Sequence, residues 1–313
     1  MSLQAFVSYH DRLLDACSKA IVGKNEEITL VAVCYLCGGH ILLEDVPGTG
    51  KTMLFNAFSK AVGGSFKRIQ FTPDVMPSDV TGINFYNLKT GEFEFRPGPV
   101  FAGLVLADEI NRATPRTQAS LLEAMAERQV SVDGVTHFLG GLFMVAATQN
   151  PIESFGTFPL PEAQLDRFMM RLKLGYMKRE EEIKVALRPD TQRIIENIEP
   201  VVTAEETLSL REELDSVEVS DTVMGYIMDI IERTRTDPGF HIGASVRGTI
   251  ALLRTSRAYA AFSGRGFVTP DDVKLLAPYV LAHRLHYRTA VGSTETEAVF
   301  KTVLDSVPVP TEV

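Results

Sequence analysis

The chain has 313 residues, with 31 Lys+Arg against 40 Asp+Glu, a formal charge of -9, three cysteines and no tryptophan. At roughly 150 residues per domain this length predicts two domains, each with its own core, and 45% hydrophobic with 23% charged residues excludes a disordered or fibrous chain. The acidic excess counts against a protein that coats nucleic acid, and three cysteines make no even disulfide framework and fit a reducing compartment.

In chain order, residues 11–22 and 25–37 read as helices, and His40-Ile41-Leu42-Leu43-Glu44 as a short buried strand. The uncharged run Ile28–Leu43 is too short to span a bilayer and is broken by Gly38-Gly39. With no signal peptide at the N-terminus, a cytoplasmic chain without a membrane span is expected. A turn and a helix to about Val62 follow, then short apolar runs at 68–71, 104–107, 142–147 and 168–174. Such runs, separated by helical patterns, predict an α/β fold with a parallel sheet covered on both faces. Two period-2 segments interrupt it. Residues 84–95 turn at Lys89-Thr90-Gly91, and 129–138 turn at Asp133-Gly134, the preferred pair for a tight hairpin.

Past Tyr176 the strands are expected to stop. Helices are predicted near 178–188, 204–215, 220–236, 246–262 and 270–285, the last opened by the cap and proline of Thr269-Pro270-Asp271-Asp272. The last dozen residues read as a loose tail. The division is therefore 1–177 for an α/β domain and 178–313 for an all-helical one.

The strongest chemical signal is Glu44-Asp45-Val46-Pro47-Gly48-Thr49-Gly50-Lys51-Thr52, between a predicted strand and a predicted helix. Glycines let backbone N–H groups turn in around a phosphate, and the helix N-terminus adds positive partial charge. Lys51 would reach the β/γ-phosphates and the Thr52 hydroxyl would ligate Mg²⁺. Asp45 stands where the phosphate-loop pattern asks for glycine. A carboxylate facing phosphate would repel it, so Asp45 is expected to point away or lie behind the loop.

The second element is Leu104-Val105-Leu106-Ala107-Asp108-Glu109, an apolar strand ending in two acids. Asp108 is placed at the Mg²⁺ shell, and Glu109 as the general base that polarises the attacking water. A third strand ends at Ala147-Thr148-Gln149-Asn150, putting Asn150 at the crevice where parallel sheets bind ligands, in reach of water and the γ-phosphate.

Together with the helical second half, these stretches resemble an AAA+ ATPase. Asp108-Glu109-Ile110-Asn111-Arg112-Ala113, Ala147-Thr148-Gln149-Asn150-Pro151 and Phe158-Pro159-Leu160-Pro161-Glu162-Ala163-Gln164-Leu165-Asp166-Arg167-Phe168 narrow it: they resemble the MoxR family, from about Ile21 to Arg288. The resemblance implies an adenine contact at Ile21-Val22-Gly23-Lys24, an arginine finger at Arg167 acting on ATP in the neighbouring subunit, and a sensor-2 arginine at Arg247. The family usually has proline where this chain has Val246. The predicted nucleotide contacts are thus Gly23, Lys24, Pro47, Gly48, Thr49, Gly50, Lys51, Thr52, Met53 and Arg247, with Glu109, Asn150 and Arg167 catalytic and Thr52 and Asp108 on the metal.

The resemblance further implies a Mg²⁺-dependent ATP-hydrolysing ring, a hexamer, that remodels or activates protein clients beside a partner with a von Willebrand factor A domain. Its fold would be a P-loop AAA+ sheet sandwiched by helices, with hairpin insertions that line a pore or meet the partner, and a helical lid. Two other classes stay open: a DNA-directed motor, against which the charge of -9 and hairpin tips without a basic cluster both count, and a nucleotide-gated scaffold with negligible turnover. Cys34-x-x-Cys37 with His40 resembles a metal spacing but lies on a wholly apolar helix and reads as core. His283 and His286 read as surface or lid packing.

Overall fold

A computed structural model describes residues 3–45, 48–149, 156–188, 190–287 and 293–310, with residues 293–297 described by backbone alone. Two helices, α1 (Leu3–Ser18) and α2 (Asn25–Leu36), lead into strand β1 (Ile41–Glu44) and helix α3 (Lys51–Ala61). Strand β2 (Phe66–Gln70) and the single turn α4 (Pro77–Thr81) precede a hairpin of β3 (Gly82–Asn87) and β4 (Glu92–Pro97). After β5 (Leu104–Asp108) and α5 (Pro115–Glu127) comes a second hairpin, β6 (Gln129–Val132) and β7 (Val135–Phe138). Strand β8 (Met144–Gln149), the turn α6 (Glu162–Leu165) and β9 (Met170–Leu172) complete the sheet.

The five strands are parallel in the order β2-β5-β8-β1-β9. Alternation along them divides the interior in two. Ile41, Leu43, Leu104, Leu106, Met144 and Ala146 face a core shared with α1, α2 and α3, whereas Leu42, Val105, Ala107, Val145 and Ala147 face one closed by α5. The loop-bearing helix α3 is pinned to the first core by fully buried Leu54, Phe55, Ala57 and Phe58. Truncating Phe58 to alanine would cost about 3–5 kcal/mol and loosen the helix that follows the phosphate loop.

The remaining chain is mostly helical: α7 (Arg179–Ala186), α8 (Thr191–Glu196), α9 (Ala204–Glu213), α10 (Asp221–Thr236), α11 (Val246–Phe262), α12 (Pro270–Leu281) and α13 (Ser293–Asp305). Thr203, Ser220, Ser245 and Thr269 cap four of them, each hydroxyl accepting a backbone N–H of the first turn. No helix among the described residues is long and apolar enough to cross a membrane.

Three expectations are corrected. Strands do not stop at Tyr176: β10 (Phe240–Ile242) and β11 (His286–Tyr287) pair antiparallel, joined by an edge-on contact of Phe240 with Tyr287 at 4.9 Å. They are too short for a period-2 pattern to register. The C-terminal dozen is not all loose, since α13 runs to Asp305 and Val303, Leu304 and Val307 are buried. The first helix begins at Leu3 rather than residue 11, because Phe6, Tyr9, Leu13, Ala16 and Cys17 form one buried stripe.

Candidate active site

The loop after β1 turns through Gly48 (φ +85°) and Gly50 (φ +90°), the residue before α3. A Cβ on either would meet nothing within 4 Å. The left-handed backbone at both positions is what calls for glycine. Lys51 Nζ donates to the carbonyl of Asp45 at 2.9 Å, and partial burial pulls its pKa below the ordinary lysine value while Asp45, Asp108 and Glu109 oppose the shift. The Asp45 carboxylate is buried, and its Oδ2 accepts the N–H groups of Leu174 and Gly175, both at 2.9 Å, although the residue also lines the cleft. It therefore braces the loop against the chain leaving β9.

The two acids at the end of β5 sit beside the loop. Thr148 on β8 donates to Asp108 Oδ1 at 2.6 Å and accepts the N–H of Glu109 at 2.8 Å. From the other side, β2 contributes two residues. Arg68 donates to Asp108 Oδ2 through Nη2 at 2.6 Å and Nε at 3.1 Å, and Gln70 Nε2 donates to Glu109 Oε2 at 2.9 Å. Arg68 Nη2 also donates to Gln70 Oε1 at 2.6 Å, which sets the orientation of that amide. Arg112 approaches Glu109 Oε2 at 3.2 Å. Glu109 itself is left-handed (φ 57°, ψ 48°), an uncommon state for a non-glycine residue that turns the chain sharply out of the strand.

These groups line one cleft of about 360 Å³ that includes Gly48, Gly50, Lys51, Thr52, Met53, Asp108 and Glu109. A narrow apolar slot continues from it between Ile21, Val22, Met53, Leu54, Leu174 and Met177. Cations and backbone N–H donors in the cleft, with an apolar slot behind, match a nucleoside polyphosphate. Gly23 stands at this wall with φ +71°, where a Cβ would collide with the Glu181 carboxyl at 2.1 Å. The Lys24 ammonium is turned onto Glu27 and the Leu174 carbonyl. The Thr52 hydroxyl and the Asp108 carboxylate are hard oxygen donors, and a guanidinium already lies against Asp108, so a divalent cation such as Mg²⁺ fits the donor set.

Two predicted residues lie elsewhere. Arg167 donates to the Leu122 carbonyl on α5 at 3.0 Å, and Arg247 is 64% exposed with Nη1 3.8 Å from Asp166 Oδ2. Neither lines the cleft. Pro47 and Asn150 lie outside the described residues. Arg68, Gln70 and Thr148 went unread in the sequence. Polar residues alternating with Ile69 and Phe71 were the available signal on β2.

A family model described as the ATPase family associated with various cellular activities (AAA) matches residues 40–170, and an AAA lid domain model matches 232–302. The chain is 47% identical to the protein YeaC of Bacillus subtilis, over 94% of this chain and 93% of that one. It is 37% identical to Chaperone MoxR1 of Mycobacterium tuberculosis, over 98% and 84%, and 30% identical to Protein MoxR of Methylorubrum extorquens, over 94% and 93%. A crystal structure from Cytophaga hutchinsonii, described as that of a candidate ATPase, superposes with a TM-score of 0.89 at 36% identity, covering 98% of both chains. With its phosphate loop, paired acids and helical second half, the chain belongs to the MoxR family of AAA+ ATPases.

Proposed function

We propose that this chain is a Mg²⁺-dependent ATPase that works as a ring, of six subunits on the family pattern, and remodels protein clients in the cytoplasm. The observation that carries the reading is the meeting of Lys51, Thr52, Asp108 and Glu109 in one cleft at the ends of β1 and β5. Residues 1–177 would form the nucleotide-binding plate and 178–313 the lid. In this reading the backbone N–H groups of the Pro47–Thr52 loop and Lys51 hold the phosphates. Thr52 and Asp108 would hold Mg²⁺, which when bound neutralises phosphate charge. Glu109 orients and deprotonates the attacking water, Asn150 aligns it, and Arg167 serves the nucleotide of the neighbouring subunit. Gly23, Lys24 and Met53 border the base, and Arg247 reports its state to the lid.

Thr148 keeps Asp108 and Glu109 in register by bonding to both. Arg68 and Gln70 engage the same two acids; Gln70 takes only Oε2 of Glu109 and so restrains the carboxylate that would activate water. A protein client is supported over DNA by the hairpins. Leu88, Phe93 and Phe138 are 89%, 75% and 78% exposed, an apolar set where a DNA-tracking surface would need cations. One relative is named as a chaperone, which supports the same reading. A partner with a von Willebrand factor A domain is proposed on the family resemblance alone.

The test is steady-state ATP hydrolysis against Mg²⁺ and protein concentration. Turnover per chain should rise with concentration as rings form, Glu109→Gln should bind ATP yet hydrolyse it at least 10²-fold more slowly, and Lys51→Ala should not bind it. Wild-type turnover equal to that of Glu109→Gln would instead favour a nucleotide-gated scaffold, and salt-sensitive stimulation by DNA a DNA motor.

A further inference from the structure

The segment that carries Arg167 is held by the lid, and chiefly by one buried side chain. Arg284, 5% exposed, follows α12. Its Nε donates to Asp166 Oδ1 at 2.9 Å, Nη2 to the Phe168 carbonyl at 2.7 Å, and Nη1 to the Met169 carbonyl at 3.1 Å. The adjacent His283 places Nε2 2.9 Å from the same Phe168 carbonyl, and burial keeps its ring neutral, so Nε2–H is the donor. From the start of α11, Ser245 Oγ donates to the Asp166 carboxylate at 3.0 and 3.1 Å. The residues on both sides of Arg167 are thus fastened to the lid, while its own guanidinium reaches away to α5.

Burying a guanidinium is strongly unfavourable unless its donors are matched. Here a planar fork meets a carboxylate and successive carbonyls, a geometry that lysine cannot copy. We propose that Arg284 is a positioning residue for Arg167: through Asp166 and the carbonyls of Phe168 and Met169 it makes the arginine offered to the neighbouring subunit move with the lid of its own chain. A change of lid angle around one nucleotide would then alter the arginine supplied to the next site. This rests on the reading of Arg167 as acting across the ring interface.

The experiment uses full-length rings and two mixtures. Arg284→Lys alone should lose turnover by about 10- to 10³-fold, with KM for ATP changed less than twofold, since its own cleft is intact. Mixed with Glu109→Gln chains, which keep a sound arginine and lid, it should regain at least tenfold over either variant alone, as should Arg167→Ala in the parallel mixture. Rescue of Arg167→Ala without rescue of Arg284→Lys would overturn the inference, because the defect would lie in its own site. Undiminished turnover of Arg284→Lys alone would overturn it as well. If Arg167→Ala is not rescued in rings of proven mixing, the interface reading falls and the inference with it. Thermal unfolding and ring size are measured for each variant. Should Arg284→Lys fail to fold, the isosteric Asp166→Asn is held to the same outcomes.

Discussion

Arg68 lies across the carboxylate of Asp108, with Nη2 2.6 Å from Oδ2, so the acid proposed for the metal shell already carries a cation from its own chain. A cation arriving at this carboxylate would compete with that guanidinium for its negative charge. Because Arg68 is 47% exposed the pair is worth little, up to about 1 kcal/mol. Arg68→Gln should lower the Mg²⁺ concentration for half-maximal hydrolysis by about 2- to 5-fold. An unchanged Mg²⁺ requirement would remove Arg68 from the competition.

Gln70 restrains Glu109 in the same way, by one hydrogen bond of 2.9 Å to the carboxylate. Losing a bond worth roughly 0.5–1.5 kcal/mol should raise client-free kcat of Gln70→Ala by about 2- to 10-fold with KM little changed. A fall in kcat would mean that Gln70 helps to orient the reacting groups.

Restoring the glycine of the phosphate-loop pattern should harm the protein. Asp45 Oδ2 accepts two backbone N–H groups, and Asp45→Gly strands both. We expect a loss of about 2–4 kcal/mol in urea unfolding. An Asp45→Gly chain as stable as wild type would show the brace to be dispensable.

Stability should also fall on mild acidification. His40 is buried, accepts the Val145 N–H at Nδ1 and has Nε2 3.1 Å from the Met125 carbonyl, and burial pushes its pKa down from 6.5 to about 4. The unfolded chain therefore takes up a proton that the folded chain refuses between those values. Stability is intact above pH 6.5 and is lost as pH falls toward 4, by about 3 kcal/mol from this group. His283 shifts in the same direction, by burial beside Arg284. Denaturant unfolding from pH 7.5 to 4.5 measures the slope. His40→Asn, which keeps an acceptor for Val145, should flatten it by up to one proton, and an equal slope in both chains would rule His40 out.

Much of this molecule is legible in linear sequence because its signals are local. A phosphate loop needs closely spaced glycines at a helix start, and a buried strand shows as an apolar run whose end marks the crevice. The caps Ser245 and Thr269 likewise act on residues three positions away. Elements stabilised by distant packing were less visible: α13 draws its hold from buried Phe300 and Leu304, and β10 from its pairing with β11.

The sequence by itself determined the α/β sheet, the helical second half, the two insertions and the glycine-bearing loop before α3. Only the tertiary structure decided what Asp45 bonds to, that Arg68, Gln70 and Thr148 hold the two acids, and that Arg284 grips the segment around Arg167. The reason is physical. Those partners stand about 40 to 130 positions apart and meet because strand order and lid packing bring them together, and no spacing along a chain encodes which strand lies beside which.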